Sequence, residues 1–371
     1  MTYDGPSLQR TICWLAPQVT KDVTIHDQYP LSTATQLGTR IRDLTWGGMR
    51  FVVLENQLLR LGILTGKGTD LVELNYKPRD LDLIWLAPGG VQNPLTHTVT
   101  APDSRAAFRE TYPGGWQELF PNGGLPSEVD GVLHGQHGEV YNLPWGVDII
   151  EDTEEAVTVR CWIRTRTSPC LIEKTIRLRA GEARFRMEER LRNESGVTVP
   201  AMWGQHITFG MPFLVPGSRI ELPEGITVQG YPTSAERRVS SPEPFPWPID
   251  PGNGTDLRIV PERGTASELL FLSGFAPDDA WYTVTPPDER PAVRVAWDGR
   301  TMPWLWLWQE FGASQSYPWF GRVYTVGLEP CSSMAREGLA QAIANGSALS
   351  VGPGETRTFW LELTINDPSR G

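Results

Sequence analysis

Two consecutive runs of alternating side chains constrain this chain more than any other feature. In the first, Ile172, Ile176 and Leu178 alternate with Glu173, Thr175, Arg177 and Arg179. In the second, Ala183, Phe185, Met187 and Leu191 alternate with Arg184, Arg186, Glu188, Arg190 and Arg192. A strand sends successive side chains to opposite faces, so a period of two with one apolar set marks a strand buried on one side. Ala180-Gly181-Glu182 joins the runs as a turn, which predicts a long antiparallel hairpin. Ala156–Arg166 repeats the pattern, with Val157, Val159, Cys161 and Ile163 on one face. Near the C-terminus, Gly352-Pro353-Gly354-Glu355 reads as a turn into a strand with the apolar face Phe359, Leu361, Leu363 and Ile365. Phe51–Glu55 and Leu58–Leu64 read as strands near the start, and Arg336–Asn345 reads as a helix stopped by Gly346.

Strands and turns follow one another without a strand–helix rhythm. The expected fold class is therefore all-β, a large antiparallel β-sandwich with few short helices. Residues 45–371 read as one sandwich domain and residues 1–44 as an N-terminal extension packing on it. The Pro-rich stretch 231–254 reads as a long loop.

The charge balance excludes several partners. Lys+Arg 33 against Asp+Glu 44 gives a net charge of −11, whereas nucleic acid and anionic membrane surfaces both select basic footprints. The sequence has no apolar run of the ~18 residues a spanning helix uses and no signal-peptide pattern at its start, so a cytoplasmic location is expected. Cys13, Cys161, Cys170 and Cys331 show no metal-ligand spacing, and reduced thiols, no metal and no cofactor are expected. Fifteen Trp is unusual, and three of them fall in Trp304-Leu305-Trp306-Leu307-Trp308. A large aromatic core accounts for this; indole faces that stack on sugar rings are the functional alternative.

Four segments could carry chemistry. His134-Gly135-Gln136-His137-Gly138 places two imidazoles in a Gly-rich loop. His206, in Met202-Trp203-Gly204-Gln205-His206, sits among apolar neighbours that would lower its pKa, while nearby acids would raise it towards the range of a general acid or base. Glu329, in Val326-Gly327-Leu328-Glu329-Pro330, ends an apolar run, where a carboxylate is costly unless paired (with Arg322 or Arg336, for example) or functional. Tyr112-Pro113-Gly114-Gly115-Trp116-Gln117-Glu118-Leu119-Phe120-Pro121-Asn122-Gly123-Gly124 is a glycine-flanked polar and aromatic loop. No Gly-x-Ser-x-Gly elbow is present.

These segments, in this order, resemble the aldose 1-epimerase (galactose mutarotase-like) superfamily, in a divergent branch. The resemblance rests on the Gly-rich loop 114–124, His137-Gly138 followed by Trp145, His206 after "LRNESGVTVPAMWGQ", "VGLEPCSS", and the closing "LSVGPGETRTFWLELTI", and it spans residues 45–366. It implies the family's β-supersandwich and an isomerase that interconverts anomers of an aldose or modified sugar without a cofactor. By that analogy His206 is the acid, Glu329 the base, and His137 holds the sugar, with His134, Trp116, Gln117, Glu118, Asn122, Trp308 and Gln309 as further contacts. The family's Asn-Arg pair is absent after Pro121-Asn122, which leaves Arg109 as a substitute; Asp278, Asp279 and Asp298 compete for the family's binding Asp. The Arg row at Arg160, Arg164, Arg184 and Arg186 reads as a solvated strand face, with an anionic-sugar site as the alternative. The expected partner is a small-molecule sugar, with homodimerisation allowed. The competing classes are a carbohydrate hydrolase or lyase, using a pair among Glu118, Glu310 and Glu329, and a non-catalytic sugar-binding protein.

Overall fold

The computed structural model describes residues 38–100, 103–231 and 236–370. They lie in the compact unit Leu37–Gly371. Among them, two large antiparallel sheets enclose one continuous apolar core. The smaller sheet has eight strands, and the hairpin anticipated from the alternation lies within it as Cys170–Arg179 and Arg184–Asn193. Its register sets Leu178 opposite Phe185, Ile176 opposite Met187 and Ile172 opposite Leu191. The strand Arg184–Asn193 alternates exposed and buried positions without a break, as a sheet wet on one face requires. Ala156–Arg164 and Thr356–Asn366 flank the hairpin.

The larger sheet has twelve strands among the described residues. Five central ones run side by side in the order Trp116–Leu119, Gly204–Gly210, Tyr324–Cys331, Trp304–Phe311 and Ser267–Ser273. Ile207, Phe209, Val326, Leu328, Leu305 and Leu307 join the core between the sheets. The alternate set, with His206, Thr208, Gly327, Glu329, Trp306 and Trp308, lies on the other face. Gly204–Gly210 and Tyr324–Cys331 are buried at every position, so loops cover this second face and convert it into a walled site.

Several local expectations shift. The C-terminal helix is shorter than expected, Leu339–Ala344, because Gly338 at φ 89° breaks the chain direction before it. A helix at Ser104–Thr111 was not anticipated; Asp103 caps it by accepting from the N–H groups of Arg105 and Ala106. Part of the expected loop 231–254 is ordered into a short strand, Phe245–Pro246, paired with Thr227–Tyr231; residues 232–235 lie outside the described residues. The expected N-terminal extension also lies outside them up to residue 37, as does Cys13. Cys161, Cys170 and Cys331 are free and buried. The Arg row is neutralised on the outer face by Asp148, Glu194, Glu182 and Glu188. No helix among the described residues is long and apolar enough to cross a membrane.

Candidate active site

The strand register gathers residues that the sequence separates. Gly204–Gly210 pairs with Tyr324–Cys331 so that Gly204 faces Cys331 and Thr208 faces Gly327. His206 and Glu329, midway, are therefore cross-strand neighbours on the same face. His206 Nε2 lies 3.6 Å from Glu329 Oε1, too long for a direct hydrogen bond. Both side chains are almost wholly buried at the floor of a cavity of about 330 Å³ that His137, Trp308, Trp319 and Arg109 also line. Gly327 makes this arrangement fit: a Cβ there would collide with Glu329 Oε1 and crowd Trp308.

The helix Ser104–Thr111 forms one wall. Tyr112, directly after it, places its hydroxyl 3.4 Å from His206 Nδ1. That oxygen can accept the Nδ1 proton, which leaves Nε2 as the nitrogen facing Glu329. Phe108, on the same helix, packs at 4.5 Å between ring centroids against His137. His137 has φ 58°, a left-handed backbone that swings its ring into the cavity. Gly124 N–H donates to His137 Nδ1 at 3.2 Å, so Nε2 carries the proton of the neutral ring and is a donor to a ligand. Trp308 packs on His206, Trp85 and Trp319, giving an aromatic wall.

Burial governs the electrostatics. It raises the Glu329 pKa well above the usual carboxylate value, with no hydrogen bond from a described residue to offset it. It lowers His206 to about 4. His137 is also held well below an ordinary imidazole, by burial and then by the His206 charge. Both members of the His206–Glu329 pair are thus driven towards their neutral forms, which disfavours a full ion pair.

The structure divides the remaining sequence candidates. Arg109 and Trp308 line the cavity with His137, His206 and Glu329. Gln117 is on the same face, opposite His206 in register, but is fully buried and donates to Asp70 at 2.8 Å. Trp116 and Glu118 point the other way, into the space between the sheets. Trp116 bonds Gln205, and Glu118 pairs with Lys174 at 2.8 Å, so neither reaches the cavity. Asn122 ties the Gly-rich loop together, donating to Leu125 O and Gly135 O and accepting from Leu339 N–H. His134 contacts Thr167 and does not line the cavity. Gln309 opposes Glu268 and donates to it at 3.1 Å, on the face shared with Leu307 and Leu270. Asp278 pairs with Arg300 at the surface, and Asp279 and Asp298 lie beside it on the rim of the smaller sheet. Of the other wall residues, Tyr112 opens the Gly-rich candidate loop, Arg336 pairs with Glu337 and not with Glu329 as the sequence allowed, and Trp319 was not among the sequence candidates.

The architecture is that of a galactose mutarotase-like β-sandwich. A candidate aldose 1-epimerase from Klebsiella pneumoniae superposes with a TM-score of 0.71 at 17% identity, covering 89% of this chain and 84% of that one. A galactose mutarotase-like protein from Clostridium acetobutylicum gives 0.61 at 12% identity, covering 90% and 99%. One from Lactobacillus casei gives 0.57 at 13%, covering 85% and 100%. At such identities the likeness is one of fold. No curated protein matches the chain. Residues 46–365 match the family described as "Domain of unknown function (DUF4432)", and the chain belongs to that family.

Proposed function

We propose that this protein interconverts the anomers of a monosaccharide by acid/base opening of the ring at C1. The observation that carries this reading is the His206–Glu329 pair, 3.6 Å apart on the floor of a monosaccharide-sized cavity and without another counter-ion among the described residues. Ring opening removes a proton from the C1 hydroxyl and delivers one to the ring oxygen. A pair holding one exchangeable proton does both at once. Ring opening proceeds from the imidazolium–carboxylate tautomer, which lies above the neutral tautomer that burial favours, and leaves imidazole and carboxylic acid. After rotation about C1–C2 the transfer reverses and the ring closes. The two protonation tautomers of the pair are thus the states before and after each half-reaction, and no cofactor enters.

Each neighbour has a part in this scheme. Glu329 takes the C1 hydroxyl proton. His206 delivers its Nε2 proton to the ring oxygen, while Tyr112 Oη keeps the other imidazole proton on Nδ1. His137 Nε2–H donates to the sugar, and Trp308 and Trp319 offer apolar faces for its C–H groups. The hydrolase alternative needs two opposed, available carboxylates. Glu118 is turned into the core, and both oxygens of Glu310 accept from Ser314. Polarimetry on freshly dissolved single anomers tests the proposal: the protein accelerates the approach to equilibrium, and in D2O no deuterium enters at C1 or C2. Deuterium uptake at C2 would replace ring opening with enolisation, and an unchanged rate across a monosaccharide panel would remove the proposal.

A further inference from the structure

The cavity holds a cation that no described residue pairs with. Arg109 lies in the last turn of the helix Ser104–Thr111, one turn (about 5 Å along the axis) before Tyr112, which touches His206. Its guanidinium makes no hydrogen bond and no ion pair with any described residue. It sits 5.6 Å from the Tyr317 ring centroid, with its side chain half-buried among the residues that line the cavity. Six outward-facing arginines, Arg160, Arg164, Arg184, Arg186, Arg258 and Arg290, each meet a carboxylate within 3.0 Å, whereas Arg109 is held half-buried in a cavity wall without one. A second cation, Arg336, lines the same cavity, and it is only partly compensated, through one nitrogen on Glu337 at 3.1 Å. Burial, and then the positive charges of Arg105 and Arg336, lower the pKa of Arg109. In a chain of net charge −11, carboxylates are abundant, yet among the described residues none pairs with Arg109; Asp103 opposes the shift only through space.

A half-buried guanidinium without a counter-ion is costly, and the fork of N–H groups suits a ligand oxyanion. From this geometry we infer that the sugar carries an anionic group (phosphate, sulfate, sulfonate or carboxylate) away from C1, and that Arg109 binds it with Arg336 in support. The inference rests on the mutarotase reading and narrows its substrate to acidic monosaccharides. The reacting carbon lies over His206 and Glu329. The oxyanion lies at the Arg109 end of the cavity, against Tyr317.

The test compares glucose, glucose 6-phosphate and glucuronate by exchange NMR of their anomers, with calorimetric titration of each sugar alongside. The expected result is a preference of at least about 30-fold in kcat/KM for an anionic sugar over glucose. For the anionic sugars KM rises with ionic strength, and for glucose it does not. Arg109→Gln lowers the anionic-to-neutral ratio by about 30-fold, mainly through KM, and Arg109→Lys recovers part of the loss. The phosphate and carboxylate arms identify which oxyanion fits. Equal rates for glucose and both acidic sugars, or an unchanged ratio in Arg109→Gln, overturn the inference and leave the mutarotase reading standing. If no sugar is accelerated, the mutarotase reading fails, and calorimetry still decides the oxyanion site. Binding of an acidic sugar that Arg109→Gln abolishes supports the site, and the absence of such binding removes it.

Discussion

Two clusters of buried ionisable groups lie back to back on the same strands, and they are built in opposite ways. Glu118 and Gln205 face the core; Gln117 and His206, one residue along on each strand, face the cavity side. In the core, Lys174 pairs with Glu118 at 2.8 Å and with Glu189 at 3.3 Å. Gln205 Nε2 donates to Glu118 and Glu189, and Trp203 Nε1 donates to Glu118. Burial opposes charge on Lys174, but the two carboxylates outweigh it and its pKa is raised; Glu189, buried beside Glu118, is driven towards its neutral form while staying hydrogen-bonded. On the cavity face, Glu329 and His206 have burial without this supply of donors, and both are driven towards their neutral forms. A saturated network locks one structure, whereas an under-bonded pair keeps its proton available for transfer.

The largest difference between the two should appear in activity. His206→Asn is expected to lower kcat for anomer exchange by about 10²–10⁴-fold while the protein stays folded, because it removes only the proton donor. Lys174→Met gives the mirror result. It leaves two buried carboxylates facing each other and costs about 3–5 kcal/mol in denaturant unfolding, with activity per folded molecule retained. Stability loss in the first variant without activity loss, or the reverse in the second, would merge the two clusters into one.

Titration sharpens the same contrast. Glu329 has its pKa raised on folding, so it penalises the folded state increasingly as pH rises above the unfolded value near 4.5. Glu329→Gln is expected to raise the thermal midpoint at pH 7 and to have little effect at pH 4. His206 has its pKa lowered to about 4, so its penalty grows as pH falls from the unfolded value near 6.5 towards 4. A stabilising effect of His206→Asn is therefore expected on the acid side. In the wild-type pH–rate profile the acid limb falls near pH 4, where the pair gains a second proton and loses its base. The smallest expected effect is that of Tyr112→Phe. Loss of a single hydrogen bond to Nδ1 lowers the rate by about 5–10-fold and shifts the acid limb.

The sheet architecture was legible because alternation is a local signal. Even its interruptions carried meaning. Lys174 and Glu189 break the apolar rows of the hairpin, and the structure sets them opposite one another as the centre of the core network. His206 and Glu329 were legible as out-of-place polar residues in apolar runs, and their meeting followed from a register that no short segment encodes. The side-chain directions of Trp116, Glu118 and Gln309 were not legible. In a short strand buried on both faces, polar and apolar residues occur on either side, so the pattern does not say which face the cavity occupies. The helix Ser104–Thr111 escaped notice because its polar outer face dilutes the short apolar stripe that carries Phe108.

The most direct measurement is two-dimensional exchange NMR of an equilibrated anomeric mixture at pH 7, with wild-type protein and with Glu329→Gln. Wild type should produce cross-peaks between α and β signals at mixing times where the free sugar shows none, and the variant, equally folded, should produce none. Cross-peaks of equal intensity from both proteins would show that Glu329 neither takes nor returns the proton on which the ring opening depends.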